Sequence, residues 1–195
     1  MFSRKFAARD LERYRERGLS DTERDLVALC GDVRGRSVLE VGGGIGALQL
    51  ELLDAGAGEV TNVELSGGYE DAARELFGER RVTRIVGDFV STDVAPHDVV
   101  VMHRVVCCYP DADALVGVAA DRTQRVLVLT LPQQRRWIGW GLGAVNLWLR
   151  VRRCGFRTYQ HSFARVERAA AAHGLRLAER VPRGRIWESA SFVRS

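Results

Sequence analysis

The stretch Val38-Leu39-Glu40-Val41-Gly42-Gly43-Gly44-Ile45-Gly46 decides how the rest of this 195-residue chain is read. An apolar run broken by one acid leads into a turn with four glycines, and an apolar helical stretch follows over 47–55. A strand that hands over to a helix through glycines is where an open α/β sheet binds its ligands. Glycine lets the backbone approach the bound molecule, and the helix N-terminus offers N–H groups without partners. Glu40, two places before the first glycine, adds a demand on charge. A carboxylate here suits a positively charged ligand and is unwelcome beside a pyrophosphate.

Outward from this turn, strands are predicted over 37–41, 60–65, 82–86, 98–106 and 125–131, with crossover helices over 47–55 and 69–77. Such alternation implies a parallel sheet covered on both faces. Asp98-Val99-Val100-Val101-Met102 is apolar on both sides of its backbone, as a central parallel strand requires. Upstream, 4–17 reads as a charged helix stopped by Gly18, and Ser20-Asp21-Thr22-Glu23 is a capping box that starts a helix running to about Cys30. Downstream, a helix over 162–173 precedes strands over 175–181 and 186–193, which pair as a hairpin across Pro182-Arg183-Gly184. The expected architecture is one α/β domain over 1–195. It has a seven-stranded, mostly parallel sheet, helices on both faces and a C-terminal antiparallel hairpin. Residues 1–34 form a helical cap and 132–160 an insertion on the substrate side.

Composition is ordinary for a folded domain, with 46% hydrophobic and 28% charged residues. No apolar run of 18 residues occurs, and Met1-Phe2-Ser3-Arg4-Lys5-Phe6 lacks the apolar core and cleavage site of a secretory signal, so neither a span nor a leader is expected. Its four cysteines (Cys30, Cys107, Cys108, Cys154) form no CxxC pair, so neither a metal site nor a disulfide framework is expected. A reducing, cytoplasmic setting follows as the expectation. Charge is unevenly spread. Residues 121–195 hold 15 arginines against Asp121, Glu167, Glu179 and Glu188, a balance of +11 within a total of +4. That basic third suits an anionic substrate, a nucleic acid or an acidic lipid surface. Lys5 is the only lysine, so arginine is also simply this chain's solubilising cation.

At Glu40, Gly42, Gly44 and Gly46 the sequence resembles the class I (Rossmann-like) S-adenosylmethionine-dependent methyltransferases. Their first motif reads hydrophobic-hydrophobic-acidic-x-Gly-x-Gly-x-Gly. Two further positions match in order and spacing. Glu64 ends the second strand, where that superfamily places an acid on the ribose hydroxyls, with Leu65 beside it. Asp88-Phe89 ends the third, where the acid hydrogen-bonds the adenine amino group and an apolar neighbour packs on the ring. The resemblance spans roughly 35–131. It implies S-adenosylmethionine as methyl donor, S-adenosylhomocysteine as product, and a donor site of Glu40, Gly42, Gly43, Gly44, Gly46, Glu64, Leu65, Asp88, Phe89 and His103. Taken singly, each of these is an ordinary turn glycine or surface carboxylate. Gly42-x-Gly44-x-x-Ala47 also satisfies a permissive dinucleotide fingerprint, which keeps a nicotinamide-dependent oxidoreductase as an alternative. That alternative leaves Glu40 and Asp88-Phe89 without roles.

The fourth strand should end beside the reacting methyl group, at Met102-His103-Arg104-Val105-Val106-Cys107-Cys108-Tyr109-Pro110. The Asp/Asn-Pro-Pro-Tyr signature of amino-methyltransferases is absent. His103 is placed for a general base, its ordinary pKa near about 6.5 suiting a hydroxyl, carboxyl or thiol acceptor. A His hydrogen-bonded beneath the adenosine or to the sheet edge is an equal reading. Cys107 and Cys108 lack the sequence contexts of cytosine C5 or arsenite methylation and read as structural cysteines. His161 is a second, weaker catalytic candidate, and Tyr14 on the first helix a candidate substrate contact for which plain packing is the commoner role.

The segment 135–153 carries the clue to the acceptor. Trp137, Trp140 and Trp148 offer flat apolar surface, and Arg135, Arg136, Arg150, Arg152 and Arg153 offer cations. This fits a planar or lipophilic acceptor bearing carboxylates or phosphates, and equally a shallow contact with an acidic membrane. The arrangement is distantly similar to magnesium-protoporphyrin O-methyltransferases, which esterify a propionate on a flat macrocycle. The expected function is O-methylation of an anionic or aromatic small molecule. An RNA-binding methyltransferase using the basic third is the alternative, although no RNA-binding domain is appended.

Overall fold

The computed structural model describes residues 4–194, so the ends of the expected domain, at 1–3 and 195, lie outside the described residues. Two helices precede the sheet. The first, α1 (Arg4–Arg17), ends where Gly18 turns to a φ of 64°. The second, α2 (Asp21–Cys30), starts at the expected box, where the Ser20 N–H donates to Glu23 Oε2 at 2.7 Å.

Among the described residues seven strands form one sheet: β1 (Ser37–Val41), β2 (Glu59–Glu64), β3 (Thr83–Val86), β4 (His97–Met102), β5 (Thr123–Pro132), β6 (Leu175–Arg183) and β7 (Trp187–Arg194). Their spatial order is β3-β2-β1-β4-β5-β7-β6. The first five are parallel, and β7 runs antiparallel to both β5 and β6. This is the expected Rossmann-like sheet with its C-terminal hairpin. The order reverses between β1 and β4, so the carboxyl ends of those two strands open the crevice in which such sheets bind ligands.

Alternation along the strands builds two cores. Val38, Val60, Val99, Val101, Val126 and Val128 face one side. There they meet Ala7 and Leu11 of α1, Leu26 of α2, Leu48 and Leu52 of α3 (Ala47–Asp54), and Ala72 of α4 (Glu70–Phe77). Leu39, Val41, Val100, Met102, Leu127 and Leu129 face the other. They meet Leu115 and Val116 of α5 (Ala112–Asp121) and Val166 and Ala170 of α7 (Phe163–Ala172). Each fully buried Leu is worth about 1.5–3 kcal/mol, so the double-sided core fixes strand register and with it the level of the strand ends.

Two departures from the sequence reading bear on the site. The fourth strand stops at Met102 rather than running to 106, because Arg104 takes a left-handed φ of 56° and Val106–Cys108 closes a 3-10 turn. His103 to Tyr109 therefore form a loop over the strand ends. The Trp-rich segment is a regular helix, α6 (Arg136–Val151), that buries only Ile138 and Leu149.

Candidate active site at the carboxyl ends of the strands

The glycine turn leaves β1 with Gly42 at a φ of 68°, and the Gly42 N–H donates to Val63 O at 2.8 Å. A Cβ on Gly42 would stand 2.7 Å from Val105 Cγ2, so only glycine lets the loop after β4 close on this turn. At Gly43 a Cβ would overlap the carboxylate of Glu40, which is folded beneath the turn.

Glu40 is 2% exposed. Burial, reinforced by the negative charge of Glu23, pushes its carboxyl up to about 8, and its Oε2 has no hydrogen-bond partner. Around it lies a buried polar group. Asn62 Nδ2 donates to Gln49 Oε1 at 3.1 Å, while Asn62 Oδ1 and Gln49 Nε2 are unpartnered. Three polar residues under one turn, with the acceptors Glu40 Oε2 and Asn62 Oδ1 left open, is an arrangement that a cationic ligand would complete.

Glu64, at the end of β2, is held by two backbone donors, Gly44 N–H to Oε2 at 3.0 Å and Ser66 N–H to Oε1 at 2.9 Å. Arg84 of β3 clamps the same turn from behind, its Nη2 donating to Gly44 O at 2.7 Å and lying 3.0 Å from Glu70. Asp88 follows β3, taking Val90 N–H on Oδ1 at 3.1 Å and the Tyr109 hydroxyl on Oδ2 at 3.2 Å. Glu40, Glu64 and Asp88 thus stand at or just past the ends of three adjacent strands. Of their apolar neighbours, Leu65 is 69% exposed, whereas Phe89 is 4% exposed and packed in the core with Val63 and Val94.

His103 is tied to α2. Its Nε2 lies 2.9 Å from Thr22 Oγ1 and its Nδ1 3.6 Å from Glu23 Oε1. Burial pushes the imidazole down to about 4, outweighing the attraction of Glu23. Burial raises Glu23 in turn, but His103 and the Ser20 hydrogen bonds bring it below the ordinary glutamate range. Arg104 donates to Thr22 Oγ1 at 3.1 Å and lays its guanidinium 4.6 Å from the ring centre of Trp187. Trp187 pairs with Pro132 at the carboxyl end of β5. Sequence reading missed Thr22, Arg104, Tyr109, Asn62, Gln49 and Trp187. None left a local signal, since Trp187 reaches Pro132 only through the pairing of β7 with β5, 55 residues away in sequence.

The remaining predicted residues are more scattered. Tyr14 donates to Glu51 Oε1 of α3 at 2.8 Å and packs against the core that α1 to α4 form with one face of the sheet. His161 lies 2.9 Å from Tyr109 O and stacks on Tyr159, so it fastens the chain after α6 to the loop after β4. Cys107 is buried and Cys108 half-buried, both thiols donating to Arg104 O at 3.4 Å. Arg135 and Arg136 follow β5 in the chain, Arg135 Nε donating to Gln133 Oε1 at 2.9 Å, and Trp137, Trp140 and Trp148 are exposed on α6.

Residues 39–126 match the family model described as "Methyltransferase domain". Several solved structures are similar in fold. Magnesium protoporphyrin IX methyltransferase from Synechocystis PCC 6803 with bound SAH is 21% identical, covers 97% of this chain and 96% of that one, and gives a TM-score of 0.71. The putative methyltransferase in complex with the Haloferax volcanii Trm112 activator is 16% identical over 97% and 94% of the two chains, with a TM-score of 0.73. A putative sarcosine dimethylglycine methyltransferase from Galdieria sulphuraria is 14% identical over 93% and 88%, with a TM-score of 0.72. No curated protein matches the sequence. Residues 39–126 thus match a methyltransferase domain, and the strand order and glycine turn set it in a Rossmann-like sheet.

Proposed function

We propose that this chain is a class I, S-adenosylmethionine-dependent methyltransferase that acts on an oxygen of an anionic, aromatic or lipophilic small molecule. The observation that carries the reading is the pairing of one unpartnered buried carboxylate, Glu40, with a wall of fixed arginine and tryptophan, Arg104 on Trp187. The first suits a cationic donor, the second a flat anionic acceptor.

S-adenosylmethionine supplies an activated methyl on a sulfonium, which passes in line to a nucleophilic oxygen as the carbon–sulfur bond breaks toward sulfur. Glu40 and the glycine turn hold the positively charged end of the donor. Glu64, already oriented by two backbone N–H groups, accepts from the ribose hydroxyls. Asp88, oriented by Tyr109, accepts from the adenine amino group, and Leu65 offers the apolar face for the ring with Phe89 as its support from the core. Arg104, Arg135 and Arg136 attract the acceptor's anionic groups. His103, Nε2 on Thr22, positions the loop and leaves little room for proton abstraction. An acceptor that is itself a carboxylate needs none, only proximity and alignment. This favours a carboxylate or an acidic hydroxyl over an aliphatic alcohol. Residues 1–195 act here as one domain, with 1–34 as cap and 132–160 as acceptor-side insertion. The four free thiols suit a reducing, cytoplasmic setting.

The test is calorimetry with S-adenosylhomocysteine, followed by labelled-methyl transfer to a panel of lipophilic carboxylates and phenols. Binding with ester or ether formation is expected. Absence of product binding overturns the donor assignment, and transfer only to amines or RNA overturns the acceptor assignment.

A further inference from the structure

We infer that the outer face of α6 docks on an anionic lipid surface. Trp140, Ala144, Leu147 and Val151 follow one another at i, i+4, i+7 and i+11, the spacing that aligns side chains along one helix face. Trp137 and Trp148 flank that row. Trp140 is 73% exposed, Leu147 63% and Val151 75%, a continuous apolar strip with nothing packed on it. The opposite side is already satisfied. Ile138 and Leu149 are buried, and Asn146 exchanges hydrogen bonds with Thr158, donating to its O at 2.7 Å and accepting its N–H at 2.8 Å. The exposed strip is therefore not a helix face left over from loose packing.

Charge says what covers it. Between Asp121 and Glu167 the sequence holds nine arginines and no acid. Arg136 and Arg150 lie along one margin of the strip, and Arg152 lies on the other, 5.0 Å from the ring centre of Trp148. Among the described residues neither these nor Arg135 and Arg153 form an ion pair. A second copy of this chain would bring arginine rim against arginine rim, which disfavours self-association. Phospholipid supplies what the face lacks, hydrocarbon for the tryptophans and phosphate for the guanidiniums. No helix of the described residues is long and apolar enough to cross a membrane, so α6 would lie in the plane of the interface. The chain after α6 is fastened to the loop after β4 by Tyr159 N–H donating to Cys107 O at 2.7 Å. Docking through α6 therefore turns the site's acceptor side toward the bilayer. This inference stands independently of the proposed acceptor.

The experiment is co-sedimentation and tryptophan fluorescence with vesicles of phosphatidylglycerol and phosphatidylcholine in equal parts, against phosphatidylcholine alone. Binding to the anionic vesicles with a blue shift in emission is expected, weakened on the order of tenfold or more on neutral vesicles and by raised salt. Leu147→Glu/Val151→Glu should abolish the blue shift while circular dichroism and thermal melting stay as in the parent. Arg150→Gln/Arg152→Gln should weaken binding on the order of tenfold. The inference is overturned by no binding to anionic vesicles at low salt, or by binding that Leu147→Glu/Val151→Glu leaves intact. It is also overturned by a solution dimer that those substitutions dissociate, or by equal affinity for soluble polyglutamate.

Discussion

His103, just past the end of β4, and Thr22, in the first turn of α2, meet at 2.9 Å, which latches α2 onto the strand ends. Replacing His103 by Gln is expected to lower kcat less than about tenfold, whereas loss of a true general base costs roughly 100-fold or more. The side chain's main contribution is to stability, on the order of 1–3 kcal/mol for the buried partner left open. Urea denaturation of His103→Gln and Thr22→Ala beside their kinetics separates the two roles. A hundredfold drop in kcat with unchanged stability would make His103 a base after all.

The same latch has a pH signature. The folded imidazole titrates at about 4, below its ordinary value, so the unfolded chain binds the proton more readily. Stability from this group is complete above about pH 6.5 and is lost as pH falls toward 4. Thermal melting between pH 7 and 4.5 should show a steeper decline for the parent than for His103→Gln. Parallel curves would count against a buried neutral imidazole.

Glu40 predicts a proton released on donor binding. Its carboxyl sits at about 8 in the free protein, and a cation beside it favours the ionised form. Affinity for the donor should therefore rise with pH up to about 8 and level off above. Glu40→Gln should bind on the order of tenfold more weakly, with a flat pH profile. Calorimetry in buffers of differing ionisation enthalpy counts the protons directly, and a count of zero for the parent defeats the idea.

Two glycines should respond oppositely to alanine. At Gly43 the new methyl meets the Glu40 carboxylate, so Gly43→Ala should cost about 1–3 kcal/mol of stability and most of the donor affinity. At Gly141, on α6, a Cβ meets nothing within 4 Å. Gly141→Ala should stabilise by up to about 1 kcal/mol through helix propensity alone. Chemical denaturation of both variants provides the comparison.

Tyr109→Phe removes the hydroxyl that orients Asp88 at 3.2 Å. The donor KM should rise about three- to tenfold with kcat little changed, as for one lost neutral-to-charged hydrogen bond. A fall in kcat at constant KM would instead place Tyr109 at the reacting centre.

What could be read from the sequence was local. The glycine turn, the strand alternation and the Ser20–Glu23 box all depend on neighbours within a few residues, and each formed as expected. The early end of β4 escaped because left-handed Arg104 has no sequence marker, unlike a glycine. The Thr22–His103 latch spans 81 residues and the Tyr109–Asp88 bond 21, so neither leaves a periodic trace. Apolar content identified Phe89 and the α6 tryptophans as important without saying which way they face. Burial turned Phe89 inward and the tryptophans outward, and Leu65 was named only as the neighbour of Glu64.

The position of β7 between β5 and β6 bears on how this protein is made. It is synthesised after both strands it joins, so during translation β5 shows an open backbone edge lined by Leu127 and Leu129. An uncovered apolar edge of that kind is a template for unwanted pairing between nascent chains. Yield in a cell will thus hinge on how quickly the final strand slides into its slot.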